Sequence, residues 1–467
     1  DLVGGDTTGR QTPTGYKELD FDLKSKILFS PLTDLTILFQ HVHQADVPVY
    51  HKITLENYAV YKMDPQERDL GYLRFKHNFD RGILKSAVLT ASLHRSEEGR
   101  EIQKNGFSLY RIENDKVHSY GVTAEVLVSS GNIWSAKNGI EAYHDLVNSS
   151  RTDINLLTDV AVQKRGLYPE GSTMNSIAAF SFHTFDLAGW NITAGARFNT
   201  FIIKVSDEVS GMTKLNPSAL VGSLAILRKL NRNSNLFVSG NTGFRAPNVD
   251  DLGSLGIVDF RYEIPNYDLK PEHSFQYQTG YKYQNKKLRG EIYFYRNELY
   301  NLIVRNKMAG DSLEGYPVYM KENVERAYIQ GVETAWDWEL NTTWLLSGCL
   351  TYTYGQNLTK NEPVRRIPPL FGRMALEYNR ESWWINLEWQ AAGKQNRLAE
   401  GDKEDNRIPS GGTPGWSILN INVSYRMKFV RIDLSFLNLL NKDYRFHGSG
   451  GNGYGRSAYL SVTYIIS

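Results

Sequence analysis

Ten histidines and one cysteine are what this chain offers for metal binding or nucleophilic chemistry. Cys349 has no partner for an intrachain disulfide, and nothing beside it suggests a reactive thiol. Only two histidines are closely spaced. His41 and His43 stand two apart on one side of a strand that approaches a long loop, the geometry of a paired ligand or of a polar rim. His51 lies in the loop that follows, and His273 stands beside Glu272 at a strand start, a structural position. No metal site is assigned. Gly-x-Ser-x-Gly, His-Glu-x-x-His, the Walker loop and Cys-x-x-Cys are all missing, so no enzyme is expected. The Gly-rich run 448–455 looks like a phosphate cradle, but an alternating strand follows it where that cradle needs a helix, so it reads as a flexible loop.

Arg245 is the cation singled out. It closes an alternating stretch in which Leu236, Val238, Gly240, Thr242 and Phe244 face one way and Ser239, Asn241, Gly243 and Arg245 the other. Pro247 has no N–H and stops the ladder. Two roles fit Arg245: a bidentate grip on an anion, or a salt bridge to Asp250, Asp251 or Glu272. Tyr262, Tyr267, Tyr316 and Tyr319 sit in or beside long loops, where they contact a planar ligand or pack the loops together. The charged run 400–407 reads as a solvated loop.

The elements that would hold these residues are strands throughout. Trp190, Ile192, Ala194, Ala196 and Phe198 alternate with Asn191, Thr193, Gly195, Arg197 and Asn199. The same grammar places Trp383, Ile385, Leu387 and Trp389 against Asn386, Glu388 and Gln390, and Leu419, Ile421 and Val423 against Asn420, Asn422 and Ser424. Strands are predicted near 68–79, 84–97, 116–129, 132–147, 273–284, 288–304, 324–339 and 367–379, among others. Short turns such as 187–189 and 379–381 alternate with long loops such as 47–67, 148–172 and 442–453.

A face carrying Arg, Glu and Lys on every strand is not a dry core, because unpaired charges there would cost several kcal/mol each. Closing the sheet puts hydrocarbon outside and water inside. A mean hydropathy of -0.43 is compatible with that, since such strands mix lipid- and water-facing residues one for one. Aromatic girdles would use part of the 28 Tyr, 20 Phe and 9 Trp. The net charge of +2 gives no reason to expect nucleic acid. The expected fold is therefore all-β: a transmembrane antiparallel β-barrel over residues 1–467, with about 19 strands. The first complete strand descends from the long-loop side.

Phe244-Arg245-Ala246-Pro247 followed by Asn266-Tyr267-Asp268-Leu269 resembles the paired Phe-Arg-Ala-Pro and Asn-Pro-Asp-Leu boxes of TonB-dependent outer-membrane receptors. Segments 44–50 and 168–173 are similar to the haem/haemoglobin-receptor branch of Bacteroidetes type. The resemblance implies a bacterial outer-membrane, multi-pass protein that takes up a scarce nutrient, most simply haem or another iron complex, as transported ligand and not as bound cofactor. It also implies 22 strands, an N-terminal plug and a TonB-recruiting box. The plug and roughly three early strands are expected to be missing from this chain. Implied partners are outer-membrane lipid and lipopolysaccharide, the TonB complex through the missing N-terminal region, and a surface lipoprotein or other outer-membrane subunits. Haem receptors of this kind place a histidine between the boxes, and residues 248–265 contain none. The alternative is a plugless barrel serving as a scaffold in an outer-membrane complex.

Overall fold

The computed structural model describes residues 11–207, 211–258 and 261–464. Nineteen long strands run as one antiparallel meander, each paired with its predecessor and successor. Six short strands, such as Val47–Pro48, Arg261–Ile264 and Glu362–Pro363, lie within the long connections.

One rim is made of tight turns. Ala188-Gly189 joins Ser172–Leu187 to Trp190–Asp207, and Gly189 has φ +78, which its lack of a Cβ permits. The other rim carries every long connection. The first strand, Lys17–Ser30, starts on the long-loop rim and the last, Ser457–Tyr464, ends on the short-turn rim, as expected.

Alternation and register fix the two faces. Phe198 pairs with Leu220, Ile226 with Val238 and Leu387 with Ile421, so outward side chains align from strand to strand. These apolar residues lie on the open side of the sheet; Leu220 is 74% exposed and Leu460 67%. Such a surface fits hydrocarbon, not water. The inward face pairs its charges: Arg197 with Glu141, Arg373 with Glu388, Lys282 with Glu291. Trp344 packs on Tyr378 at 5.0 Å and Trp383 on Tyr425 at 4.6 Å, both beside short turns and both facing outward. Trp389 and Tyr464 also face outward. The rings beside the short turns, with Tyr464 at the end of the last strand, form the lower girdle; Trp389 lies six residues higher on its strand.

Three expectations are revised. Among the described residues no ladder joins Lys17–Ser30 to Ser457–Tyr464, so the sheet has a seam in place of full closure. It still curls back on itself: Gln11 and Asn452 exchange two hydrogen bonds at the long-loop rim. Many strands also run well beyond their expected ends. Leu84–Lys104, Leu109–Ser130, Trp134–Asn155 and Leu288–Leu313 extend above the apolar band as a palisade. The segment 47–67, read as loop, holds a short helix, Tyr50–Leu55, and the first half of Tyr58–Asn78.

Candidate ligand site at the barrel mouth

The two sequence boxes are the two ends of one folded-in loop. Arg245 closes the strand Ser234–Arg245 and stands directly opposite Glu272, the first residue of Glu272–Gln284. Its Nε donates to Glu272 Oε2 at 2.6 Å, and its Nη1 to Asp251 Oδ2. Arg245 therefore clamps the loop's two stems and its helix, Val249–Gly253. Asn248 and Asp251 form a capping box on that helix. Ala246 and Leu269 are buried with Ile203, Val205 and Leu252, and Phe244 and Tyr267 pack on this cluster. Asn266 donates its backbone N–H to Leu252 O and its Nδ2 to Lys321 O. Asp268 donates its N–H to Asn266 Oδ1.

The loop turns into the mouth and does not project from it. Its strand Arg261–Ile264 lies parallel to Tyr316–Glu339, with Tyr262 opposite Val318 and Glu263 opposite Tyr319. Buried charges hold it there. Glu263 accepts from Ser254 at 2.9 Å and is contacted by Arg305 and Lys321. Lys321 Nζ donates to both Asp250 O and Asp250 Oδ2 at 2.7 Å. Removing one partner from such a set would leave a buried charge uncompensated, at a cost of about 3–5 kcal/mol.

Beside the loop is a cavity of about 400 Å³. Arg261, Arg305, Lys307, Lys321, Lys360 and Arg365 line it, with Asp250, Asp251, Glu362, Glu400 and Glu404. Tyr319 forms part of its wall. The Arg261 guanidinium lies 5.0 Å from the Tyr319 ring centre, and the Tyr319 hydroxyl donates to Glu404 at 2.5 Å. Tyr319 stands well above the apolar band; burial, then the bond to Glu404, pushes its hydroxyl up to about 12. Arg305, Lys307 and Lys360 are the exposed cations of this wall, and Arg305 is engaged by Glu263. The cavity can accept an anion of small-molecule size on guanidinium and ammonium groups, with one aromatic surface.

The other expected residues are distributed differently. Tyr262 is half-buried on the folded-in strand. Tyr316 shares a hydrogen bond with the Tyr58 hydroxyl at 2.6 Å and lies under the Lys104 ammonium at 4.1 Å, tying together the upper ends of three strands. His41 and His43 share a face with Ile37 and Phe39, the outward one. Their rings stack 6.5 Å apart; His41 Nδ1 meets Asp69 at 2.7 Å and His43 Nδ1 meets Glu67 at 3.1 Å. They sit just above the lipid-facing band, away from the mouth.

The run 400–407 is a correction: it is a built-in lock, not a solvated loop. Asp402 and Asp405 are each 1% exposed. Arg365 reaches both, Arg366 contacts Asp405, and Arg407 Nε donates to Asp405 at 2.9 Å. Burial opposes the charge on Asp405, but the bonds from Arg407 and the charge of Arg366 outweigh it and hold the carboxyl at about 2. The Gly-rich segment is tied to the same lock, since Arg366 Nη1 donates to Gly448 O at 2.8 Å. The signal available in the sequence was the Asp402/Asp405 spacing facing the Arg365-Arg366 pair. Glu263 and Lys321 carried no such signal, because a loop acid and a strand lysine are commonplace on any surface.

No helix of the described chain is long and apolar enough to cross a membrane, which is silent about crossing by strands. Solved structures share the fold of this chain, which spans about three quarters of their length. A copper transporter, OprC, superposes with TM-score 0.85 at 17% identity, over 99% of this chain and 74% of that one. The ferric citrate transporter FecA gives 0.74 at 14% identity, over 96% and 70%. The FrpB iron transporter from Neisseria meningitidis gives 0.74 at 12%, over 99% and 76%. At these identities the likeness concerns the fold. Residues 4–441 match the family described as TonB dependent receptor-like, beta-barrel. With the outward apolar band, the paired lumen charges and the two boxes, that match makes this chain a member of the TonB-dependent receptor β-barrel family, a transporter of the outer membrane and not an enzyme.

Proposed function

We propose that this barrel takes up a chelated metal, a ferric complex foremost, and recognises it by its anionic periphery. The observation that carries this is the cavity of about 400 Å³ at the mouth, lined by Tyr319 and by six cations against five carboxylates, a balance of one positive charge. An arginine-rich, partly desolvated wall suits carboxylates or catecholates that already hold their metal. Haem, with two carboxylates on a planar ring, falls in the same class. The names of the similar structures support such cargo, since they include copper, ferric citrate and iron transporters.

On this reading the folded-in loop 246–271 is the inner wall of the site. Arg245 and Lys321 fix it, so cargo meets a formed surface and binding loses less to ordering. The TonB complex supplies the work that releases cargo inward, and no bond in the cargo is made or broken by the chain.

The test is a titration of the protein in detergent with ferric citrate and with haemin, read by tryptophan fluorescence and the Soret band. One of them should bind, and Lys307→Glu with Lys360→Glu should weaken it roughly ten-fold or more, as expected for lost charge-assisted bonds. Binding of neither probe, or equal binding after charge reversal, would refute the proposal.

A further inference from the structure

The mouth holds a second cavity, built by another part of the chain and of different character. Its walls stand far above the lipid-facing band. Lys104 lies twenty residues up its strand from Leu84, which follows a short turn. At ~3.3 Å per residue and a tilt near 45° that is roughly 47 Å, against an apolar band about 25 Å tall. Alternation turns Ile102 and Lys104 inward with Arg100, and Leu109 inward with Arg111 and Glu113.

The long hairpin of Leu288–Leu313 and Tyr316–Glu339 reaches across to them. Among the nineteen long strands Leu288–Leu313 is the twelfth and Leu109–Ser130 the fifth, so the two stand on opposite walls. Yet Glu314, at the hairpin tip, meets Arg111 at 3.0 Å and Arg151 at 3.9 Å. Tyr316 meets the Tyr58 hydroxyl, and the Lys104 ammonium lies 4.1 Å from its ring centre. The tip is thereby held as an arch against the far wall.

Beside the arch is a cavity of about 340 Å³, within the range of small-molecule sites. Tyr58, Ile102, Phe107, Leu109 and Ile257 give it apolar walls. Phe107 is 61% exposed and Leu109 42%, although both stand at a height where the solvent is water. Apolar side chains gathered around one aqueous cleft mark a binding surface. Three charged groups complete the lining. Arg111 and Glu314 neutralise each other, which leaves Lys104. Among the described residues its ammonium has no carboxylate partner, only the Tyr316 ring. No residue lines both this cavity and the cationic one.

An ammonium fixed on a ring beside apolar walls suits a ligand with one negative charge and a compact apolar body. A polyanionic chelate would have to desolvate its other charges against Ile102 and Leu109. The rings of Tyr58 and Phe107 favour a flat partner. We propose that this cleft binds an aromatic monocarboxylic acid, with its carboxylate on Lys104 and its ring against Phe107 and Leu109. The site stands apart from the metal-chelate cavity and does not depend on that reading.

The test uses the whole chain in lipid nanodiscs, with empty nanodiscs as the blank, in equilibrium dialysis against 2-naphthoate. Saturable binding above the blank is expected. Lys104→Gln should weaken it roughly ten-fold or more, as for a lost charge-assisted bond, and Lys104→Arg should restore most of it. Leu109→Glu should weaken it at least as much, by giving Lys104 a carboxylate of the chain's own. 2-Naphthalenemethanol has the ring without the charge, and acetate the charge without the ring; each should bind far more weakly. Lys307→Glu with Lys360→Glu should leave 2-naphthoate binding unchanged, so that this proposal and the metal-chelate reading fail separately. Heat-modifiable gel migration reports whether each variant is folded. If Leu109→Glu does not fold, Lys104→Gln against Lys104→Arg decides. Absence of saturable binding, unchanged binding in folded Lys104→Gln, equal binding of the alcohol or of acetate, or loss of binding in the Lys307/Lys360 variant would overturn the proposal.

Discussion

At the scale of single residues, the mouth is governed by carboxylates held by several cations. Asp405 is the clearest, and its titration has a definite sign. Its folded pKa, about 2, lies below the ordinary carboxylate value near 3.9. Its contribution to stability is therefore complete above about pH 4 and is lost as the pH falls through about 2. Hydrogen exchange of the 400–415 and 442–453 segments should rise across that window, and Asp405→Asn should show raised exchange already at pH 7. Indifference of both to acid and to the substitution would mean that Asp405 does not hold these loops. Arg245 belongs to the same scale. Arg245→Ala leaves Asp251 and Glu272 without their shared cation, so the 246–271 loop should become protease-sensitive while the strands stay intact. An unchanged digestion pattern would show that the buried cluster around Leu252 suffices.

At the scale of elements, alternation was legible wherever one face meets lipid. Trp190–Asp207 and Trp383–Ala392 stand out because Ile192 against Thr193, or Leu387 against Glu388, differ in solvent as well as in side. The signal disappears higher up. In Arg95, Glu97, Glu98, Arg100 and Glu101 both faces are charged, and a two-residue period has nothing to separate. What continues those strands is the pairing of charges across them, such as Arg100 with Asp115 at 2.6 Å and Arg111 with Asp153 at 3.3 Å. Such pairs join residues far apart in the chain, so spacing along the sequence does not disclose them. The mouth was legible in part for the same reason. The boxes marked the stems of the loop, while its inward fold depends on Glu263 meeting Arg305 and Lys321. The parity itself can be tested by substitution. Leu387→Arg or Ile421→Arg at mid-band should destabilise by ~2–4 kcal/mol, and Asn386→Arg or Asn422→Arg by much less. Equal costs in denaturant titrations would contradict the assigned faces.

For the whole molecule, transport depends on one sheet separating two solvents. The nineteen-strand meander, its tight-turn rim with Trp344 and Trp383, and its palisaded mouth make sense only if the outward stripe meets hydrocarbon. The most direct measurement is spin-label accessibility along 383–392 and 417–425, one cysteine at a time after replacing Cys349. Labels at 385, 387, 419 and 421 should collide with dissolved oxygen and be shielded from a polar nickel chelate. Labels at 386, 388, 420 and 422 should show the reverse, giving a two-residue oscillation with the two reagents out of phase. Uniform accessibility, or both reagents oscillating together, would contradict the barrel and the transport function built on it.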